Sequence, residues 1–467
     1  MVSPRGRRYV AIAAVFLLVL LMFMITDGPK TTARGYLDQY LDYSPGASKQ
    51  NLGGSNGAPR YLPEPSWVPP PVKDPFHSLA TLDEAPPIPD WNQPNHELHV
   101  KYDLEYAPPL FIGFTRSWPM LLQTVVSFIT AGWPASQIYV IENTGVQRAN
   151  AKGQLTLQNP FYLNHESLNK LGVNVIQSPV LMTFSQLQNY YMYLSHQYQW
   201  PYYFWAHQDV LAFSFEDGRD GLTPKAHEEG YASLYELALS ELNTTIENDD
   251  RWGHRLLSFD NMALVNREAY EDVGGWDTFI PYYLTECDMH SRLIMGNWTS
   301  KEARIGIIND VSHVLDDLRV LYRDESIEPV YSDPNPSKPT VNKREAAPVD
   351  AAENSVASSS LEKRDTAADA PSDPSSITYF RKLARAGEQM QKLKNQATNR
   401  NNWQGGQRGG KDEPFYYPSR GIAKGIDTMT KAGREVFSEK WGHRNCDLVS
   451  GAGLKLEDQW RVARDWE

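Results

Sequence analysis

The sequence predicts an α/β protein built around a mostly parallel sheet with flanking helices. Short apolar runs and helix-length segments alternate between residues 109 and 211 in the order strand, helix, strand, strand, helix, strand. This order is typical of parallel strands joined by right-handed crossovers. The chain has 467 residues, of which 41% are hydrophobic and 12% aromatic, so it can bury a sizeable core.

Six segments supply these elements. "PLFIGFTRS" is predicted as the first strand, "WPMLLQTVVSFITAG" as an amphipathic helix with Pro119 near its start, and "QIYVIENTG" as the second strand. "GVNVIQSP" is the third strand, "FSQLQNYYMYLSHQYQW" the next helix, and "YYFWAHQDVL", residues 202–211, includes the fourth strand. No GxGxxG or GxxxxGKS/T loop follows the first strand, which counts against binding of a dinucleotide or ATP.

Polar side chains stand where two of these strands end. The second strand ends in Glu142 and Asn143, and the fourth breaks off into His207 and Asp209. The carboxyl ends of strands in an open α/β sheet face the crevice that binds ligands, so we expect a site here. His207 and Asp209 are of the types that bind divalent metals. Alternatively, His207 is a hydrogen-bonded histidine at a strand end and Asp209 is an acid in a turn.

The amino terminus predicts a membrane anchor. Residues 1–8 contain three arginines, and residues 9–25 form an unbroken apolar run that would span about 25 Å as a helix. A cleavable signal peptide is the alternative, but its apolar region is normally shorter and followed by small residues. With the basic flank in the cytoplasm the rest of the chain is lumenal. Asn243 in "NTT" and Asn297 in "NWT" are glycosylation acceptors consistent with that topology.

Low-complexity segments divide the remaining chain. We expect a Pro/Gly-rich stem over residues 26–108, a globular domain over 109–331, a disordered insert over 332–376 and a carboxyl-terminal segment over 377–467. The insert contains two dibasic pairs, Lys343-Arg344 and Lys363-Arg364, which resemble the sites of kexin-type proteases. Solvated charge in a linker explains them equally well.

Charge and cysteine content restrict the function. A net charge of -12 argues against a nucleic-acid partner. Because the chain as a whole repels anions, an anionic substrate must be bound by a local positive charge such as a metal ion. The two cysteines, Cys287 and Cys446, do not organise the fold, although one disulfide is possible in an oxidising compartment.

The polar strand ends, together with "SFDNMALVNREAYEDVGGWDTFIPYYLTECDMHSRL", resemble the GT-A fold glycosyltransferases of the family 2-like branch, from about residue 110 to residue 320. The resemblance implies a Rossmann-like GT-A domain that binds a nucleotide-diphosphate sugar. It places Glu142, with Asn143 beside it, at the nucleotide. It also places His207-Gln208-Asp209 where the family has an Asp-x-Asp motif, which implies Mn²⁺ or Mg²⁺ on the diphosphate. His313 in "DVSHVLDD" then stands where several such enzymes supply a third metal ligand.

The same resemblance assigns an acceptor side. In "VNREAYEDVGGWD" two glycines, Gly274 and Gly275, make a turn, and Trp276 stacks on a sugar face. Aligned on Asp288, "TECDMHSRL" departs from the family pattern Glu-Asp-x-Asp-Leu, because the catalytic Asp falls on Glu286. The resemblance implies that Glu286 and Asp288 are the catalytic residues.

Glu286 can still act as a general base, and direct attack on the donor would then invert the anomeric carbon. Glu286 and Asp288 could instead be first-turn acids that favour the helix dipole. Residues 432–442, "AGREVFSEKWG", resemble the "KWG" segment that follows family 2-like domains, so we expect the chain to fold back after the insert.

The resemblance therefore implies a single-pass type II membrane glycosyltransferase in the Golgi or endoplasmic reticulum. It would transfer a hexose from a nucleotide-diphosphate sugar to a hydroxyl of a glycan or glycoconjugate. A retaining enzyme of the same fold is one alternative. A non-catalytic, membrane-tethered carbohydrate-binding protein on a decayed fold is another, supported by the departures at His207 and at Thr285-Glu286.

Overall fold

The structure is a computed structural model, and it describes residues 61, 63, 70–76, 79, 85–146, 148–335, 374–396 and 407–466. The compact unit is Trp67–Glu467, and of the unit before it only Tyr61 and Pro63 are described. The predicted anchor, most of the stem and both dibasic pairs lie outside the described residues. Within those ranges, no helix combines the length and apolar character that a membrane span needs.

Helices and strands alternate through the first half of this unit and become less regular afterwards. In chain order they are α1 (Leu98–Lys101), β1 (Leu110–Phe114), α2 (Trp118–Thr130), β2 (Ile138–Glu142), α3 (His165–Lys170), β3 (Asn174–Gln177), α4 (Phe184–Gln197), β4 (Tyr202–Ala206), β5 (Val210–Phe213) and α5 (Leu234–Asn248). They continue with β6 (Trp252–Leu256), β7 (Met262–Asn266), α6 (Arg267–Asp272), α7 (Thr285–Met295), β8 (Thr299–Glu302), β9 (Ile307–Asp310), β10 (Val314–Leu315), β11 (Tyr331–Ser332), α8 (Ser375–Asn395) and α9 (Ser419–Trp441).

A seven-stranded sheet of order β3-β2-β1-β4-β7-β6-β8 forms the centre. The pairs among β3, β2, β1 and β4 are all parallel, as is the pair β6 and β8, and β7 runs antiparallel to both of its neighbours. The predicted mostly parallel sheet with flanking helices is therefore confirmed. Two small antiparallel sheets, β5 with β9 and β10 with β11, lie beside it.

One helix in this half was not predicted. The second and third strands were expected to follow one another directly, but β2 and β3 are parallel, and parallel neighbours need a crossover. The crossover contains the six-residue helix α3, whose start is fixed by the Asn164 side chain accepting a hydrogen bond from the backbone N–H of Ser167. A helix this short has too few turns to show a clear periodicity.

Both faces of the sheet are covered, as parallel strands require. Successive side chains of β1 point to opposite faces of the sheet and belong to two different apolar clusters. Leu110, Ile112 and Phe114 pack with α2, whereas Phe111 packs with Tyr191 of α4. The core therefore has two apolar layers separated by the strands.

Helix α2 is the predicted helix with Pro119 near its start, and all of its residues are buried. Its polar side chains bond to the small sheets instead of to water. Thr124 donates to the backbone carbonyls of Gln208 and Val210 at 2.7 and 2.8 Å, and Ser127 accepts from the N–H of Ala212 at 3.0 Å. The polar side chains of α2 thus hold β5, which follows β4 along the chain.

The carboxyl-terminal helices pack on this domain from two sides. Helix α8 lies so close to β9 that a Cβ on Gly387 would be 2.6 Å from the Asn309 side chain. Helix α9 contacts α7, and the chain beyond it is joined to α7 by a disulfide between Cys287 and Cys446, whose Cα atoms are 5.3 Å apart. The sequence alone did not show whether these two cysteines form a disulfide.

Candidate functional site

The ends of β1, β2 and β4 meet at one edge of the sheet, which we call the carboxyl edge (residues 115–117, 142–144 and 207–209). The strands are in register there, with Phe114 opposite Glu142 and Ile112 opposite Ala206. Gln208 links two of the ends: its Oε1 accepts from the N–H of Thr115 at 2.9 Å, and its Nε2 donates to the carbonyl of Arg116 at 2.5 Å. The structure therefore brings the predicted strand-end residues to one place.

Glu142 is 2% exposed, and neighbouring side chains hold its carboxylate. It accepts hydrogen bonds from Asn150 at 2.7 Å and Gln177 at 2.9 Å and lies 2.8 Å from the ring nitrogen Nε2 of His165. Burial alone would raise the pKa of Glu142, but these partners, with His165 the largest, hold the pKa below its ordinary value. Glu142 is thus an ionised carboxylate that fixes the loops around β2.

Asn143 connects the same edge to the start of α4. Its side-chain amide donates to the carbonyl of Met182 at 2.9 Å and accepts from the N–H of Met182 at 2.7 Å. The predicted nucleotide contacts Glu142 and Asn143 are therefore at the carboxyl edge, and both are engaged in holding its loops.

His207 is half-buried between two aromatic rings at the end of β4. Its ring lies parallel to that of Phe184 at a centroid distance of 5.7 Å and edge-on to Trp205 at 5.4 Å. This packing fixes the plane of the imidazole.

Asp209 pairs with a lysine that no sequence pattern connects with it. Lys394, near the end of α8, donates to Asp209 Oδ2 at 2.6 Å and also to Oδ1 of Asp310 at the end of β9. We call Asp209 and Asp310 the acidic pair. Lys394 and Asp209 are 2% and 5% exposed, so the contact is buried.

The charges in this contact stabilise one another. Burial alone would lower the pKa of Lys394, but Asp209 and Asp310 outweigh it and hold the pKa above its ordinary value. Burial, followed by the charge of Asp209, raises the pKa of Asp310. The ammonium of Lys394 is therefore charged and serves as the counter-ion of the acidic pair.

The residues here do not fit the predicted Mn²⁺ or Mg²⁺. In the part of the chain that the structure describes, no three His, Cys, Asp or Glu side chains are placed to hold a metal ion. His207, Asp209 and His313 are thus not brought together as a ligand set. The His313 ring instead lies 3.0 Å from the hydroxyl of Ser312 and edge-on to Tyr331, and burial lowers its pKa. Mg²⁺ needs near-octahedral oxygen ligands, and Asp209 is already paired with an ammonium.

Arg116 is a site residue that sequence reasoning missed. It is 5% exposed, and its guanidinium has no hydrogen-bond or ion-pair partner among the residues described. Burial lowers the pKa of Arg116 to about 10, and Tyr282 in the 277–284 loop opposes this shift. A basic residue directly after the first strand, in "FTRS", is the signal that could have found it. An unpaired buried cation is costly and indicates a place for an anion.

Ten described residues other than glycine have left-handed backbone conformations, and two of them are close in sequence to Arg116 and Tyr282. Ser117, which begins α2, has φ 73°, and Leu284, which begins α7, has φ 76°. Such conformations cost free energy and concentrate at functional sites. Two of these strained positions thus lie at the carboxyl edge and at the loop that faces it.

The two acids of α7 have different surroundings. Glu286 is half-buried in the first turn. Asp288 is completely buried, with Arg292 at 2.8 Å, Lys440 at 2.7 Å and the indole N–H of Trp441 donating to it at 3.0 Å. Asp288 therefore joins α7 to the "KWG" segment of α9.

The glycine turn before α7 is present, with Gly274 at φ 87° and Gly275 at φ 70°. A Cβ on Gly275 would lie 2.9 Å from Asn189 Oδ1, so the turn needs glycine for space as well as for conformation. Trp276 is 3% exposed and packs edge-on against Phe184 at 5.6 Å. Its ring is part of the core layer and presents almost no surface to a ligand in this structure.

A cavity of about 550 Å³ lies elsewhere, lined by residues of the 217–228 loop. None of its lining residues belongs to the carboxyl edge or to α7. We therefore do not assign it to the site.

No protein-family model and no curated protein matches the chain. Among solved structures, a cytidylyltransferase from Leptospira borgpetersenii serovar Hardjo-bovis is similar, with a TM-score of 0.25 and 10% identity over 42% of this chain and 75% of that one. A mannosyltransferase from Pyrobaculum calidifontis, solved with GDP-Man and Mn²⁺, has a TM-score of 0.27 and 9% identity. That match covers 44% of this chain and 60% of the mannosyltransferase, less than two thirds of its length. At these scores the likeness carries no argument about substrate.

Proposed function

We propose that the chain is a glycosyltransferase that moves a hexose from a nucleotide-diphosphate sugar to a hydroxyl of a glycan or glycoconjugate. The observation that carries this proposal is the buried, unpaired guanidinium of Arg116 at the carboxyl edge, where open α/β sheets bind ligands. Across from it, the 277–284 loop leads into Glu286. A cation for a diphosphate and a carboxylate for an acceptor hydroxyl thus belong to two elements that face each other.

Arg116 suits a diphosphate in both charge and shape. A guanidinium presents a rigid fork of donors that matches two phosphate oxygens, and it stays charged when partly desolvated. The leaving nucleoside diphosphate gains negative charge as the sugar departs. Arg116 would stabilise that charge without moving, because Gln208 already holds its backbone.

Glu286 is the proposed general base. The acceptor oxygen forms a bond to the anomeric carbon while its proton passes to the Glu286 carboxylate, and the bond from that carbon to the diphosphate oxygen breaks. Direct displacement of this kind inverts the anomeric carbon. Asp288 is a positioning residue in this proposal, since its carboxylate holds α7 against α9. Nucleotide contacts from Glu142 and Asn143 and sugar stacking by Trp276 stay predictions.

We also place the enzyme in the lumen of the Golgi or endoplasmic reticulum as a type II membrane protein. The disulfide between Cys287 and Cys446 supports an oxidising compartment, because such bonds persist there and are rare in the cytosol.

The alternative of a non-catalytic carbohydrate-binding protein is favoured by one observation, the burial of Asp288 and Trp276, which the family pattern assigns to substrate. Turnover separates the two proposals. The purified full-length chain should release a nucleoside diphosphate from at least one of a panel of UDP- and GDP-hexoses, and an oligosaccharide acceptor should yield a product of inverted configuration. Arg420→Met, at an exposed position in α9, is the control that should leave release unchanged. Binding of glycans without release from any donor would favour the alternative.

A further inference from the structure

We propose that Lys394 takes the place of a divalent cation in this site, so that the chain binds a nucleoside diphosphate without Mn²⁺ or Mg²⁺. This inference rests on the proposed function for its substrate class, and it departs from the metal that the sequence predicts. It also gives α8, which follows the insert, a part in the site.

The first step is the charge at the end of β4. Asp209 and Asp310 are brought together by the antiparallel pairing of β5 with β9, in which Val210 lies opposite Asp310. Two buried carboxylates at one place need a cation, since each opposes ionisation of the other. That cation is the ammonium of Lys394, which contacts both.

The second step is that a metal would have to remove this ammonium. The side chain of Lys394 is 2% exposed and those of Asp209 and Asp310 are 8% and 14% exposed, so the three groups already fill the contact. A divalent ion entering beside a fixed ammonium would be repelled, and a third carboxylate that could hold it elsewhere is not placed nearby among the residues described.

The third step is that α8 is also held in position by contacts other than those of Lys394. Arg381 pairs with Asp217 at 2.7 Å, Tyr379 donates to the carbonyl of Ile327 at 2.7 Å, and Phe380 packs edge-on against Phe213. Lys394 lies in the last turn, beyond all of these contacts. The charge of Lys394 can therefore have a role besides docking the helix. By neutralising the acidic pair, Lys394 removes the repulsion between these carboxylates and a bound anion.

The test measures binding of UDP and GDP by calorimetry to the full-length chain in EDTA and in Mn²⁺. The wild-type chain should bind one of them in EDTA and gain nothing from Mn²⁺. Lys394→Met should weaken binding in EDTA by about tenfold or more, because the acidic pair then faces the diphosphate without its counter-ion. Mn²⁺ should restore binding to this variant, since the vacated acidic pair can hold the metal.

Lys382→Met is the matched control. It removes the same charge from the same helix, but Lys382 pairs with Glu328 at 2.8 Å on the surface and lies about 18 Å along α8 from Lys394 at 1.5 Å per residue. It should bind like the wild-type chain in both conditions. Of the three chains, only Lys394→Met should bind the nucleotide more tightly in Mn²⁺ than in EDTA.

The outcomes separate this inference from the proposed function. If the wild-type chain binds the nucleotide only in Mn²⁺, the inference is wrong, but the proposed glycosyltransferase function is not contradicted. This comparison uses the wild-type chain alone, so it tests the inference even if Lys394→Met fails to fold. Lys394→Met that binds in EDTA as well as wild type also overturns it. A wild-type chain that binds neither nucleotide in either condition overturns the proposed function and the inference with it.

Discussion

Glu286 and Asp288 lie two residues apart on α7, but only the side chain of Glu286 is accessible to a substrate in the folded chain. Glu286 is half-buried in the first turn, whereas Asp288 is completely buried among Arg292, Lys440 and Trp441. A sequence pattern of two acids cannot distinguish these roles, because it does not show what surrounds each side chain. The two residues should therefore respond differently to substitution.

We expect Glu286→Gln to lower turnover by about 10²-fold or more, because only proton removal is lost. Its free energy of unfolding should fall by less than that of Asp288→Asn, because Glu286 is half-buried and Asp288 is completely buried. We expect Asp288→Asn to lower that free energy by about 3 kcal/mol or more, because Arg292 and Lys440 lose a buried counter-charge. Denaturant unfolding and initial rates measured on the same preparations check both. A large loss of stability in Glu286→Gln would contradict the assignment.

His290, one turn beyond Glu286, makes the fold sensitive to acid. Burial lowers the pKa of His290 to about 4 from an ordinary value of 6.5, although Asp260 opposes the shift. The unfolded state therefore binds the proton more readily than the folded state. The contribution of neutral His290 to the free energy of unfolding is complete above pH 6.5 and is lost as the pH falls toward about 4.

The melting temperature should thus fall between pH 6.5 and about pH 4, and His290→Gln should make that fall shallower. His254, which is also buried with a lowered pKa and lies 4.4 Å from His290 between ring centroids, accounts for part of the remaining slope. Thermal unfolding at a series of pH values measures this. An unchanged slope in the variant would show that His290 does not carry the effect.

At the scale of elements, α7 is held by the chain that follows α9. The disulfide between Cys287 and Cys446 joins residues 159 apart, so it restricts the unfolded chain strongly. The double variant Cys287→Ser/Cys446→Ser should lose about 2–5 kcal/mol of unfolding free energy. A reductant should destabilise the wild-type chain to a similar extent and leave the double variant unaffected. Equal stability of the oxidised and reduced wild-type chains would contradict this.

The two glycosylation acceptors lie on elements of different kinds. Asn297 is exposed, with φ 62°, in the turn after α7, whereas Asn243 is half-buried within α5, where its amide donates to Glu247. Acceptor triplets are normally used in surface loops. In secreted or membrane expression, Asn297→Gln should abolish most of the endoglycosidase-sensitive mobility shift, and Asn243→Gln should change it little. The reverse result would show that α5 opens before the glycan is added.

At the scale of the whole molecule, the sequence predicts what is encoded by local patterns. The strands β1, β2, β3 and β4 and the helices α2 and α4 each have their own apolar pattern or helix start, and β4 also has the polar end that marks the site. The glycine turn at Gly274 and Gly275 is equally local, because its conformation depends on those residues themselves.

Contacts between distant segments were not predictable in the same way. Lys394 and Asp209 are 185 residues apart, and nothing in the sequence around either residue indicates the other. Similarly, the apolar pattern of α2 does not indicate the hydrogen bonds of Thr124 and Ser127, because the strand to which they bond is not part of that pattern. Arg116 was predictable in part. The sequence shows that it follows a strand, but only the structure shows that it is buried without a partner among the described residues.

The central claim is that Arg116 carries the donor diphosphate while Glu286 acts on the acceptor. A calorimetric titration of the full-length wild type, Arg116→Met and Glu286→Gln with the donor that supports turnover tests this division most directly. We predict that Arg116→Met weakens donor binding by about tenfold or more and that Glu286→Gln leaves it nearly unchanged while turnover is lost. Equal donor affinity in wild type and Arg116→Met, or loss of donor binding in Glu286→Gln alone, would contradict the account.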